Sequence, residues 1–105
     1  MRLPRLGTAV VLGRSMRPTL EDGDRVLLAY GVPVRTGSLV VVRLPGRPVS
    51  VKRATRRVPD GWWVERDNPA EGVDSWLVGP VADQDVLAVV VLRVWPLMRW
   101  RIRRR

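Results

Sequence analysis

Residues 49–65 read VSVKRATRRVPDGWWVE. This stretch predicts two short β-strands, because β-branched and aromatic residues recur over 49–56 and 62–65, on either side of a Pro-Asp-Gly turn at 59–61. Strands joined by so short a turn pair antiparallel. The same composition recurs along the chain between further turn signals, without an internal sequence repeat.

Four further runs of this kind predict strands, and turn residues lie between the predicted strands. Glu21-Asp22-Gly23-Asp24 precedes one strand, and Pro45-Gly46-Arg47-Pro48 separates two others. No stretch of 12 or more residues keeps an apolar helical period free of Pro or Gly. We therefore predict an all-β domain, a small, strongly bent antiparallel sheet or partly open barrel. The additional predicted strands are 6–12, 25–30, 38–44 and 86–95.

The length and composition restrict the chemistry. With 105 residues, the chain holds one domain, which we place at 1–95, followed by a basic tail at 96–105. Cys and His are both absent, which excludes cysteine nucleophiles, His-based triads and the usual zinc sites. Hydroxyls, carboxylates, one amine and guanidinium groups are left, so we expect no cofactor and no metal. No apolar run approaches the roughly 20 residues of a membrane span, and we interpret the start as mature sequence.

The formal charge of +9 is concentrated in the tail, PLMRWRIRRR, which carries five Arg and no acidic residue. That leaves 9 − 5 = +4 for residues 1–95. Such a tail could bind anionic lipid headgroups or nucleic acid phosphates, or could be a solvated C-terminus. We expect a cytoplasmic protein with peripheral membrane contact as an open alternative, and no specific nucleic acid partner.

Lys52 is the only lysine among 19 basic residues, and therefore the only one that can become a neutral amine at moderate pH. As a strand residue it shares a face with Ser50 and Ala54, small neighbours that leave room for a second group. Ser15 is a candidate for that group, since it follows a predicted strand and precedes a proline-fixed turn that presents its hydroxyl and backbone N–H. An amine can activate a serine only where burial makes it neutral.

These residues resemble the signal peptidase family of Ser/Lys peptidases. Ser15-Met16-Arg17-Pro18-Thr19-Leu20, followed by Gly23-Asp24, is similar to its nucleophile motif, and Val51-Lys52-Arg53 is similar to its base motif. Asp67-Asn68 with Asp74-Ser75 and Gly79 is similar to a third motif, which places the polar loop 66–79 at the site. The resemblance implies that Ser15 is the nucleophile and Lys52 the general base. It implies oxyanion or support roles for Gly13, Met16, Pro18, Asp67, Asn68, Asp74 and Ser75.

Two positions depart from the family pattern. Gly72 lies where the family often has a serine that orients the lysine, and Trp76 replaces the usual arginine. The small size looks most like the peptidases that mature nickel-type superoxide dismutase, which implies removal of an N-terminal propeptide from a protein precursor, with the nickel belonging to that substrate. Three alternatives stay open: a leader peptidase for exported proteins, a non-catalytic nucleic-acid-binding β-barrel and an inactive relative that binds a partner. We disfavour a LexA-like autoproteolytic domain, because the 14 residues before Ser15 cannot hold a DNA-binding domain and a cleavable linker.

Overall fold

The computed structural model describes residues 3–96, and these fold into one antiparallel sheet that curls into a half-barrel. The prediction of an all-β, strongly bent sheet is confirmed. A single turn of helix, α1 (Ser75–Val78), and a 3₁₀ turn (Asp83–Asp85) are the helical elements of this region. The strands are β1 (Arg5–Val10), β2 (Arg25–Tyr30), β3 (Leu39–Val42), β4 (Ser50–Val58), β5 (Gly61–Glu65), β6 (Val81–Ala82) and β7 (Val86–Trp95).

The strand order in the sheet is β1-β2-β7-β3-β4-β5-β6. The antiparallel neighbours expected from the turn signals are present, since β1 pairs with β2, β3 with β4 and β4 with β5. The last strand, β7, lies between β2 and β3 and pairs with both. This long-range placement joins the two halves of the chain, and short turn patterns carry no information about it.

The structure has seven strands where the sequence predicts six. The additional strand, β6, is only two residues long and pairs with Gly61 and Trp62 of β5. Two residues are too few to show the alternation by which a strand is recognised in a sequence. The predicted strand at 6–12 is also wrong at one end, because β1 ends at Val10 and the chain then turns away.

Hydrophobic clusters form on both faces of the sheet. Alternation along β3 divides them, since Val41 belongs to one cluster and Val40 and Val42 to the other. The first cluster also contains Met16 and Leu20, which come from the connection between β1 and β2. The sheet is therefore covered on one side by a loop, and that loop carries Ser15.

The connection at 11–24 is fixed at both ends by backbone hydrogen bonds. The N–H of Val11 donates to the carbonyl of Asp24, and the N–H of Gly23 donates to the carbonyl of Val11. Between these ends, the N–H of Leu20 donates to the carbonyl of Met16 at 2.9 Å. The loop is thus tied to the sheet by hydrogen bonds and by two buried side chains, and Ser15 takes its position from both.

Across residues 3–96, no helix has the length and apolar character that crossing a bilayer requires. The basic tail predicted at 96–105 lies outside the described residues from Leu97 onward.

Gly61 offers a direct test of the β5–β6 edge. A Cβ atom added there would lie 1.9 Å from the backbone carbonyl oxygen of Val81, so alanine forces the two strands apart. We expect Gly61→Ala to lower the free energy of unfolding by roughly 2 kcal/mol or more, measured by urea unfolding with tryptophan fluorescence. The exposed neighbour provides the control, Asp60→Ala, which should leave the midpoint almost unchanged. Equal midpoints for both variants would contradict this packing.

Candidate active site

Ser15 and Lys52 meet although 37 positions separate them in the sequence. The Lys52 Nζ atom lies 2.9 Å from the Ser15 Oγ atom, within hydrogen-bond distance. Lys52 extends from β4 and is 3% exposed, whereas Ser15 is half-buried on the 11–24 connection. The amine is thus enclosed, and the hydroxyl lies between the amine and the surface.

Burial lowers the pKa of Lys52 from its ordinary value, and this is the largest influence on it. Lys52 pairs directly with Val40 across the β3–β4 ladder, and Val40 is fully buried, so the lysine stem lies on an apolar face. The carboxylate of Asp74 acts in the opposite direction and raises the pKa, while the guanidinium of Arg66 lowers it. Together these influences lower the pKa, so less free energy is needed to reach the neutral amine, which is the form that can accept a proton.

The backbone N–H of Ser15 is a donor available for a developing oxyanion. Within residues 3–96, the Ser15 N–H makes no hydrogen bond with the protein. The Gly13 N–H, in contrast, donates to the Asp22 carboxylate at 2.7 Å and is already engaged. Gly13 has a φ of 84°, so it supplies the left-handed turn before the serine.

Asn68 links the 66–79 loop to the backbone on either side of the nucleophile. Its backbone N–H donates to the carbonyl of Ser15 at 2.8 Å, and its side-chain Nδ2 donates to the carbonyl of Arg14 at 2.9 Å. Its Oδ1 accepts from the N–H of Ala70 at 3.0 Å and closes a local turn. The side chain therefore fixes its own loop and the serine backbone at the same time.

Asp67 makes a second link between the two loops. Its carboxylate accepts from the Thr19 hydroxyl at 2.5 Å and from two nitrogens of Arg53 at 2.9 and 2.7 Å. The paired bonds from Arg53 hold the pKa of Asp67 below its ordinary range. Because Arg53 follows Lys52 on β4, this network fixes the nucleophile loop to the strand that carries the amine.

Asp74 and Ser75 stabilise the far end of the loop, and both are buried. Asp74 is the N-cap of α1, where its carboxylate accepts from the N–H of Trp76 at 3.1 Å. The Ser75 hydroxyl accepts from the N–H of Val64 at 2.9 Å and so ties α1 to β5. Within residues 3–96 neither side chain hydrogen-bonds to Ser15 or Lys52; Ser75 contributes by positioning the loop, and Asp74 also acts on the amine through its charge.

The remaining two predicted support residues do not reach the reacting atoms by side-chain hydrogen bonds. Met16 is 2% exposed within a hydrophobic cluster, where it anchors the loop immediately after the serine. Pro18 is exposed and follows a cis peptide bond from Arg17. Trp76 packs edge-to-face against Trp63, with ring centroids 5.1 Å apart, which is a surface contact.

Gly72 and Arg66 belong to the site, and the sequence did not identify either of them as functional. Gly72 has a φ of 106°, and a Cβ atom added there would lie 2.5 Å from the Cβ of Ser15. The backbone at Gly72 thus packs directly against the nucleophile, and any side chain would displace one of them. Spacing could not have revealed this, because the contact depends on how the loop closes in three dimensions.

Clefts lie on two sides of Ser15. One, of about 290 Å³, is bordered by both dyad residues together with Gly72 and Val73. The other, of about 130 Å³, has a mostly apolar lining that includes Met16. A larger cavity of about 440 Å³ lies at the 43–48 turn and contains neither dyad residue. The two clefts beside Ser15 are where a peptide could lie across the hydroxyl.

Comparison with protein families gives a match over residues 4–91 to the family described as Peptidase S24-like. The matched region contains the seven predicted oxyanion and support residues as well as Ser15 and Lys52. Curated proteins give no match.

Replacing Lys52 by Met should stabilise the protein while removing the amine. Methionine has a similar length and no charge to desolvate, so we expect Lys52→Met to raise the free energy of unfolding at pH 7 by about 1 kcal/mol. Because burial lowers the pKa of Lys52, the unfolded wild type binds more protons between that lowered value and the ordinary value of about 10.5. Wild-type stability therefore rises with pH across this window, and the advantage of the variant should shrink. Urea unfolding between pH 6 and 10 measures the stability of the wild type and of the variant. If Lys52→Met were less stable than the wild type at every pH, burial of the lysine would not carry the free-energy cost that we expect.

Substituting Gly72 by Ala should loosen the contact between the 66–79 loop and the nucleophile. We expect a loss of about 1 to 3 kcal/mol, from the left-handed backbone and the clash with Ser15. Amide hydrogen exchange at Asn68, whose N–H donates to Ser15, should accelerate. The matched control is Gly46→Ala, which has a φ of 66° but no atom within 4 Å of the added Cβ. Unchanged exchange at Asn68 in folded Gly72→Ala would show that the loop absorbs the methyl group elsewhere.

Proposed function

The chain belongs to the Peptidase S24-like family, and on that basis we propose that it is a serine endopeptidase in which Ser15 is the nucleophile and Lys52 the general base. Membership of the family indicates a serine peptidase or peptidase-like function in general. The assignment of the two residues, the reaction and the substrate are proposals that rest on the geometry and on the resemblance of the motifs.

The observation that carries the proposal is the 2.9 Å separation between the Ser15 hydroxyl and the only lysine of the chain. A lysine enclosed to 97% has lost most of its hydration, which disfavours the ammonium form. Structural lysines ordinarily keep the charged head in water. An amine that is buried, has a lowered pKa and contacts a half-exposed hydroxyl has the arrangement that activates a nucleophile.

In the acylation step, the neutral amine of Lys52 takes the proton from the Ser15 hydroxyl as its oxygen attacks the peptide carbonyl carbon. The backbone N–H of Ser15 can donate to the carbonyl oxygen as it gains negative charge. The resulting ammonium of Lys52 then gives its proton to the leaving amine, and the peptide C–N bond breaks. The products are an ester on Ser15, a new amino terminus and a neutral lysine.

In the deacylation step, Lys52 takes a proton from a water molecule, which attacks the ester carbonyl. The proton then passes to the Ser15 oxygen as the ester bond breaks, and the carboxylic acid product leaves. One amine thus serves both steps. This requires that it reach both the serine and a water molecule, and the 290 Å³ cleft beside Lys52 provides that space.

We further propose that the substrate is a protein precursor from which an N-terminal propeptide or leader is removed. An extended peptide can cross Ser15 between the two adjacent clefts. The precursor of nickel-type superoxide dismutase is the specific candidate, supported only by the likeness of the motifs and the small size. Nickel would bind to the processed substrate. We place the reaction in the cytoplasm, with the basic tail as a peripheral contact to the inner membrane face.

Surface charge in the described region argues against the alternative of a nucleic-acid-binding barrel. Arg17, Arg43 and Arg57 form ion pairs with acidic neighbours on exposed or partly exposed surface. Such pairs reduce the positive potential that phosphate binding requires. The tail carries +5 of the formal charge of +9 and residues 1–95 carry +4, so most of any nucleic acid affinity should come from the tail, and it would leave the domain's site unexplained.

Activity should depend on Ser15 and on an amine at position 52. We expect Ser15→Ala and Lys52→Arg each to reduce cleavage by about a thousand-fold, because arginine keeps a positive charge but cannot accept the proton. The assay incubates wild type and variants with the proteome of the source cell and sequences new N-termini. Ser38→Ala is the matched control, a turn serine outside the site.

The purified dismutase precursor forms a separate arm of this experiment. Release of a single N-terminal segment by the wild type would support the specific substrate. Cleavage of other precursors only would overturn that substrate and leave the dyad intact. Near-normal cleavage by Lys52→Arg, with the variant folded, would overturn the general-base assignment.

A further inference from the structure

Asp74 is a buried carboxylate close enough to Lys52 to affect its protonation. It is 2% exposed and lies at the N-terminus of α1. An unpaired carboxylate in this position would attract a proton to the amine, because opposite charges in a poorly solvated site stabilise each other. A general base next to such a group would be held in its protonated, inactive form.

Arg66 pairs with this carboxylate. Its Nη1 lies 3.1 Å from Asp74 Oδ2, and its backbone N–H donates to the same oxygen at 3.0 Å. The rest of the guanidinium is also engaged: Nε donates to the carbonyl of Asn68 and Nη2 to that of Pro69, both at 3.1 Å. The guanidinium is therefore fixed in place by three contacts within its own loop, as its planar fork allows, and the backbone N–H adds a fourth bond to Asp74.

The stem of Arg66 also lies against the nucleophile side of the loop. Its Cδ atom lies 3.6 Å from the point where a Cβ on Gly72 would be, and that point is 2.5 Å from the Cβ of Ser15. Arg66, Gly72 and Ser15 are thus stacked. The arginine side chain is partly buried, at 26% exposed, and its charge is held against the loop.

We propose that Arg66 is a positioning residue that neutralises Asp74 and thereby keeps Lys52 in the neutral form required of a general base. The proposal rests on the proposed function for its purpose, but the charge arrangement is independent of any substrate. Arg66 touches neither reacting atom. It acts through Asp74, and through the loop that it closes around Asn68.

Other charged groups near the amine do not provide the same compensation. Arg14, Arg47 and Glu71 line the cleft that contains Lys52, but they lie on its exposed rim. Arg53, next to Lys52 on β4, is committed to Asp67. The pKa of Lys52 reflects this arrangement, because Asp74 raises it and Arg66 lowers it, with burial as the larger cause.

The single lysine makes the proposal directly measurable. Full-length protein grown with ¹³Cε-labelled lysine gives one lysine resonance, and its chemical shift reports the protonation of Lys52 without any substrate. The variants are Arg66→Gln, which removes the charge, and Arg66→Gln combined with Asp74→Asn, which removes both charges and keeps a side chain that can cap α1. The matched control is Arg57→Gln, which breaks a surface ion pair with Asp83 away from the dyad.

We expect the titration midpoint of Lys52 to move to higher pH in Arg66→Gln and to return toward the wild-type value in the double variant, while Arg57→Gln stays at the wild-type value. A purely structural role for Arg66 would not be reversed by removing Asp74 as well. An unchanged midpoint in Arg66→Gln would overturn the proposal. If that variant does not fold, a double variant whose midpoint lies well above the wild-type value would overturn it equally.

The same titration separates this inference from the proposed function. A Lys52 midpoint that follows the expected pattern, in a protein that cleaves no precursor, would support the charge arrangement and count against the peptidase. Cleavage of a precursor, together with a Lys52 midpoint that does not move in Arg66→Gln, would support the peptidase and count against the charge arrangement.

Discussion

Burying a lysine amine against a serine hydroxyl is the constraint that the rest of the site must satisfy. An amine loses hydration when it is enclosed, and the fold must supply both the apolar surroundings and the partner. Val40, paired with Lys52 across the sheet, supplies the first, and Ser15 on the 11–24 connection supplies the second. The site therefore combines one position on a rigid strand with one on a loop, and the loop needs separate fixation.

That fixation comes from the 66–79 loop. Asn68 bonds to the backbone on both sides of the nucleophile, Asp67 joins Thr19 to Arg53, and Gly72 packs against the serine without a side chain. The buried side chain of Asp74 caps α1 at the end of this loop, and its negative charge lies near the amine. Arg66 offsets that charge. The position of the loop and the charge near the amine thus both depend on one ion pair.

Local patterns in the sequence predicted the strands, the turns and the all-β class, because alternation and turn chemistry act over a few residues. The insertion of β7 between β2 and β3, and the two-residue β6, could not be predicted in this way, since both depend on long-range pairing. At the site, motif resemblance drew attention to Ser15, Lys52 and Asn68. It treated Gly72 as the loss of a serine, whereas the structure shows a close backbone approach there. Nothing in the spacing indicated Arg66, because its role depends on its proximity to a buried carboxylate.

The central claim is that Lys52 activates Ser15. The most direct measurement is labelling with a fluorophosphonate, which phosphonylates an activated serine hydroxyl, followed by intact mass and peptide mapping. Wild type should gain one phosphonyl group on Ser15, at a rate that rises with pH as Lys52 loses its proton, and folded Lys52→Arg should remain unlabelled. Equal labelling of the two proteins, or a label on any residue other than Ser15, would contradict the claim.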